Sequence, residues 1–315
     1  MKRSLNLIVL PLILLCLIFS GCKKVQDETF KIVTSCYPVY IMSLNIAKDV
    51  PNTKVMNMCD LNTGCLHNFQ LKSEDLKKIE ESSAFIINGA GMESFIDKII
   101  NELPKVKVID SSENIALLKD SCDCEEHEHE HHEHSDCEHN HHHCHHEYNP
   151  HTWMSISNYI KQVENIKNNL KILDPIHSEL YEENSKNYII KLENLKKNIH
   201  SKLDSIENRD IITFHNSFPY FADEFGLNIV GVINHEPEEE PNMKELKNLI
   251  DLIKDKNVNN LFVEPQYPQD IAKTIASETN SKVHVLDPAV TGEDSADSYI
   301  NIMEKNLSVL CEALG

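Results

Sequence analysis

The 315-residue chain is predicted to be an α/β protein of two lobes, each with a mainly parallel sheet flanked by helices, joined by one long rigid helix. Three observations predict it. Short apolar runs alternate with amphipathic stretches in both halves of the chain, and such alternation builds a parallel sheet covered by helices. Residues 176 to 208 contain no Gly or Pro, and their apolar residues recur at helical spacing. A mature length a little under 300 residues exceeds one small core and suits two.

Residues 1–21 read as a signal peptide. Lys2 and Arg3 precede an apolar stretch from Leu5 to Phe19 that is too short to span a bilayer. It ends in Phe19-Ser20-Gly21-Cys22, which resembles the lipobox at which bacterial lipoproteins are cleaved and lipidated on cysteine, although Phe19 stands where Leu is usual. The mature protein is therefore expected to begin at Cys22 and hang from the membrane by acyl chains.

The first lobe is expected over residues 28–174. Strands are predicted at 30–34, 54–58, 84–88 and 105–109, and helices at 39–49, 73–81, 92–101 and 155–173. Residues 111–149 interrupt this pattern without apolar periodicity and read as an insertion. After Asp174-Pro175 a linking helix is expected over 175–208, with Tyr181, Tyr188, Leu192, Leu195 and Ile199 on one face. At 1.5 Å per residue it would be on the order of 45 Å long. The second lobe, 209–315, should carry strands at 210–214, 228–232, 260–263 and 282–286, with helices at 217–225, 243–254, 270–278 and 295–314. Ligands of open α/β sheets bind at the carboxyl ends of strands, so the cleft between the lobes is the expected site.

Charge narrows the partners. Loss of Lys2 and Arg3 takes the formal charge from −20 to −22, which argues against nucleic acid and for cations. The insertion sharpens this to metal: between Cys122 and His146 stand eleven histidines and four cysteines among acidic residues, with no Lys or Arg. Its donors are Cys122, Cys124, His127, His129, His131, His132, His134, Cys137, His139, His141, His142, His143, Cys144, His145 and His146. Their surplus suits a collector or sensor at the cleft mouth better than a defined transport site. Three further histidines stand where strands or their loops open toward the cleft: His67, His151 just after the insertion, and His215 at the end of a strand of the second lobe. Three imidazoles with a fourth oxygen or water suit four-coordinate zinc. His177, His200, His235 and His284 have ordinary surface or core explanations.

Gly64 to Lys77, Asn149 to Trp153, Thr213 to Leu227 and Phe262 to Gln266 resemble the signatures of the zinc and manganese solute-binding lipoproteins of bacterial ABC importers, the ZnuA and TroA-like family. The similarity covers nearly the whole mature chain. It implies His67, His151 and His215 as metal ligands, and equates residues 122–146 with the His-rich insertion of the zinc-selective branch. Manganese-binding relatives tend to have carboxylate at the third position, so His215 favours Zn2+ and puts Mn2+ second. Asp287 matches a carboxylate ligand of relatives, with a turn or helix cap as its other reading. Glu264 is the alternative ligand, or a group that orients a ligand imidazole. The chain departs from the family at Cys65-Leu66-His67, where relatives commonly have Asp-Pro-His. Cys59 and Cys65 then either brace the loop as a disulfide, stand by, or add soft ligands that move preference toward copper or cadmium; a brace or bystander role is the favoured reading.

The expected function is extracytoplasmic capture of Zn2+ for an ABC permease and its ATPase subunit by a monomeric, lipid-anchored protein that is not an enzyme. A zinc hydrolase is the rival from another class, since three His with an open position also hold catalytic zinc, but no HExxH helix occurs. A surface metal buffer or adhesin built on the insertion is the third reading.

Overall fold

The computed structural model describes residues 29–66, 69–120, 147–233, 242–267 and 269–315. The signal segment, Cys22, His67, His235 and the donors of 122–146 lie outside the described residues.

Two four-stranded sheets are built the same way. In the first, β1 (Phe30–Thr34), β2 (Thr53–Asn57), β3 (Ala84–Ile87) and β4 (Val108–Asp110) run in the order β2-β1-β3-β4. In the second, β5 (Asp210–Thr213), β6 (Asn228–Val232), β7 (Asn260–Val263) and β8 (Lys282–Val285) run in the order β6-β5-β7-β8. Every pairing is parallel. The inner strands β3 (AFII) and β7 (NLFV) are buried at every position, because helices cover both faces of a parallel sheet and leave no side of the strand for polar residues. In each sheet the first strand is central and the chain leaves it in opposite directions. The loops after β1 and β3, and after β5 and β7, thus flank the switch points at which such folds place ligands.

Nine α-helices are described: α1 (Tyr37–Ile46), α2 (Ser73–Glu80), α3 (Ile96–Glu102), α4 (Ile156–Leu173), α5 (Ser178–Leu203), α6 (Pro219–Phe225), α7 (Met243–Lys256), α8 (Asp270–Thr279) and α9 (Ser298–Leu314). Nearly every residue of α1 is buried, as expected of a helix sandwiched on all sides, and it packs on β1, α4 and α5. The 26 residues of α5 give about 39 Å at 1.5 Å each. Its buried face, Tyr181, Ser185, Tyr188, Leu192, Leu195, Ile199 and Leu203, includes all five residues expected there. The helix is shorter than its sequence suggests because Pro175–His177 forms a separate 3-10 turn and the chain turns again after Leu203. No helix among the described residues is long and apolar enough to cross a membrane.

Other elements also begin later than their sequence suggests, α3 and β4 among them. Gly89, Ala90 and Gly91 all have positive φ, so the chain turns through Met92 and Glu93 before α3 can start at Ile96. Gly89 is required: at φ 81° a Cβ would collide with Asp110 Oδ1. β4 begins only at Val108, since a turn from Leu103 to Val106 occupies the residues before it.

The lobes share packing. The larger core joins the first sheet, α1, α4, α5 and α9 to Phe218, Phe221, Phe225 and Phe262 of the second lobe; a smaller core of Ile212, Phe214, Leu249, Ile253, Leu261 and Ile275 lies on the other side of the second sheet. The segment before α9 crosses to the first lobe. Tyr37 donates to the Glu293 carbonyl at 2.8 Å, Tyr40 to Asp294 at 2.7 Å, and Asn45 to the Ala296 carbonyl at 2.7 Å.

The flanks of the insertion belong to this framework. Ser111 and Ile115 are buried, and Lys119 bridges to Tyr148 in antiparallel sense, closing the base of residues 121–146. The described residues on either side of residues 121–146 are thereby paired just ahead of Asn149.

Candidate metal centre

His151 is held from both ends. Its backbone N–H donates to Asn149 Oδ1 at 3.0 Å, and its ring Nδ1 lies 3.0 Å from the same oxygen. Asn149 Nδ2 donates to the Asn216 carbonyl at 2.8 Å, which fixes Oδ1 as the acceptor end of the amide. Nδ1 therefore carries the imidazole proton, and Nε2 keeps its lone pair for a ligand. The 3-10 turn Thr152–Met154 follows at once and buries Trp153, whose Nε1–H donates to the Pro288 carbonyl at 2.8 Å.

His215 comes two residues beyond β5. Its backbone N–H donates to Glu264 Oε1 at 3.3 Å, and its ring meets that of His151 edge-on, with centroids 5.3 Å apart. Both histidines are buried, at 1% and 3% exposure, although they belong to different lobes. Cys65, in the loop after β2, brings its Sγ to 3.5 Å from His151 Nε2. One ligand atom each from Cys65, His151 and His215 lie within 4.8 Å of one another, and among the described residues these three form the group able to hold a metal ion.

The carboxylates stand around this group. Glu264 is buried, and desolvation chiefly pushes its carboxyl up to about 8, against the pull of the His215 N–H; the nearby charge of Asp287 adds to the rise. It supports His215 through the backbone N–H. Asp287 Oδ1 accepts the Ala289 N–H at 2.9 Å, so the side chain caps the turn after β8. Burial also raises its carboxyl, while that hydrogen bond and Lys305 oppose the rise. Neither carboxylate belongs to the group that includes both histidines.

Cys36, Cys59, Cys65 and Cys311 are free thiols. The disulfide brace between Cys59 and Cys65 is absent because the two thiols face different neighbours. Cys59 Sγ lies 3.6 Å from the Ser35 carbonyl oxygen, beside the end of β1, whereas Cys65 turns into the cleft. Burial and the charge of Glu264 push the Cys65 thiol up. The ordinary readings of three histidines hold: His177 pairs with Asp174 at 2.7 Å, His200 lies near Asp204 and Phe225, and His284 meets Asn260 at 2.9 Å.

Residues 32–313 match the family described as zinc-uptake complex component A, periplasmic. The chain belongs to this family. It is 30% identical over 314 residues to the zinc-binding lipoprotein AdcA of Streptococcus pneumoniae, covering 98% of this chain and 60% of that relative. It therefore spans only about three fifths of the length of the streptococcal relative. It is also 30% identical over 300 residues to the high-affinity zinc uptake system protein ZnuA of Bacillus subtilis, covering 93% of this chain and 90% of that protein. The crystal structure of the Zn(II)-bound ZnuA-like domain of S. pneumoniae AdcA superposes with a TM-score of 0.74 at 27% identity, covering 91% of this chain and 99% of that one. These likenesses bear out the two-lobe fold and the family resemblance read from the separated histidine motifs.

Proposed function

We propose that this chain captures Zn2+ outside the cytoplasm and delivers it to an ABC permease driven by its ATPase subunit, with Mn2+ as the second-ranked cargo. The observation that carries the reading is the convergence of two buried histidines, one from each lobe, with the ring of His151 held at Nδ1 by Asn149. His67 would complete the imidazole set, and either Asp287 or water a further position. Lipidation at Cys22 would hold a monomer at the membrane surface, with lobes 28–174 and 209–315 hinged only slightly about helix 175–208. Residues 122–146 would raise the local zinc concentration or sense its excess. Zinc binding is the role named for AdcA of S. pneumoniae and zinc uptake that named for ZnuA of B. subtilis, and the histidines of this chain would serve capture, not catalysis.

Isothermal titration of the mature chain should show one tight zinc site that disappears in His151→Ala and in His215→Ala, and survives deletion of residues 122–146. Survival of that site in both histidine variants would sink the proposal; loss of nearly all binding on deletion would favour a metal buffer instead. Affinity should fall as pH drops below about 6.5, where free imidazole takes up a proton.

A further inference from the structure

We infer that Cys65 is itself a ligand, so that the captured ion is held by a mixed sulfur and nitrogen set comprising Cys65 Sγ, His151 Nε2 and His215. The inference rests on the metal-capture reading above and adds a residue that sets which metals the site accepts.

Distance carries the argument. A Zn–S bond of about 2.3 Å and a Zn–N bond of about 2.0–2.1 Å, meeting at the tetrahedral angle, put sulfur and nitrogen about 3.5 Å apart. Cys65 Sγ and His151 Nε2 are separated by 3.5 Å. A thiol–imidazole hydrogen bond would span that distance as well, yet it would not require a third donor. His215 supplies one, with all three ligand atoms inside 4.8 Å of one another. Asn149 holds the Nδ1 side of the His151 ring, which turns the lone pair of Nε2 to the sulfur. The other thiol of the same loop, Cys59, is engaged beside Ser35 and leaves Cys65 as the sulfur of the site.

Binding would exchange a proton for the metal: the Cys65 S–H bond breaks, the S–metal bond forms with the same electron pair, and H+ leaves to solvent. No oxidant is needed. Thiolate favours zinc, cadmium and cuprous copper over manganese and magnesium, so Cys65 would sharpen discrimination against the harder ions in addition to His215.

The test uses the full mature chain with Cys122, Cys124, Cys137 and Cys144 changed to serine, which removes the insertion's thiols as competing sulfur ligands. One equivalent of Co2+ should produce a thiolate-to-cobalt charge-transfer band, and Cys65→Ser and Cys65→Ala should abolish it. X-ray absorption of the zinc-loaded parent requires no substitution at the site and should show a sulfur scatterer at about 2.3 Å. A band that persists without Cys65, or a zinc shell of nitrogen and oxygen alone, overturns the assignment. Calorimetry of the same parent protein separates the two readings: a tight zinc site without sulfur leaves metal capture standing and removes Cys65, whereas no tight site at all removes both.

Discussion

The amide of Asn149 binds in both directions, its oxygen meeting the N–H and ring Nδ1 of His151 and its nitrogen reaching the Asn216 carbonyl in the other lobe. One side chain thus selects the tautomer of the His151 imidazole and joins the two sides of the cleft. Asn149→Ala should weaken zinc binding by about 10- to 100-fold, the usual consequence of losing a group that orients a ligand imidazole. Competition titration with a chelating dye would measure this, and unchanged affinity would show that the ring is held by packing alone. At this scale the sequence revealed residue types more readily than roles. His151 and His215 are conspicuous because each stands at the opening of a cleft between predicted lobes, but the part played by Asn149 depends on Asn216, far away in the chain. Cys65 could be seen to break the family pattern, yet nothing local separated a brace from a cleft-facing thiol.

Among elements, the turn after β3 is secured by Glu93. Its Oε1 accepts from Ser35 Oγ at 2.6 Å and from the Asn88 N–H at 2.8 Å, and its Oε2 accepts the Gly89 N–H at 3.0 Å. The clamp binds the end of β1 to the end of β3, on the side of the sheet where the site forms. Desolvation outweighs these three donors and pushes the carboxyl up to about 7. The unfolded chain, with an ordinary carboxyl near 4.5, loses its proton first. Between those values the unfolded state binds fewer protons, so this group's contribution is full below about 4.5 and is lost as pH rises through about 7. Glu93→Gln cannot titrate and should flatten that part of the slope in urea unfolding of the metal-free protein; an identical slope in wild type and variant would contradict the assignment. Strand positions were legible because buried parallel strands are short apolar runs, and α5 because its apolar residues repeat every three or four positions. The start of α3 was not, since a carboxylate capping a turn of left-handed residues leaves no periodic trace.

At the scale of the molecule, Trp153 is the bolt between the halves. Its indole donates to the Pro288 carbonyl beyond β8, and its own carbonyl accepts from Tyr299 of α9 at 2.7 Å. Trp153→Phe would keep most of the apolar contact and leave the Pro288 carbonyl without its donor, at a cost of about 1–3 kcal/mol. Chemical denaturation with and without zinc would measure it, and a loss below 0.5 kcal/mol, roughly the scatter of ordinary surface substitutions, would deny the bolt its importance. With α5 packed along its length and α9 crossing to the first lobe, metal exchange is expected through loop movement and small tilts rather than wide opening. The sequence by itself determined what is local: the alternation that makes two parallel sheets, the period that makes the long helix, the imidazoles suited to zinc, and the family to which the chain belongs. Only the tertiary structure decided which donors meet. Cys65 and His151 stand 86 residues apart in the chain and touch because sheet order and crossovers return their loops to one cleft. That return depends on how the whole chain packs, and no run of neighbouring residues encodes it.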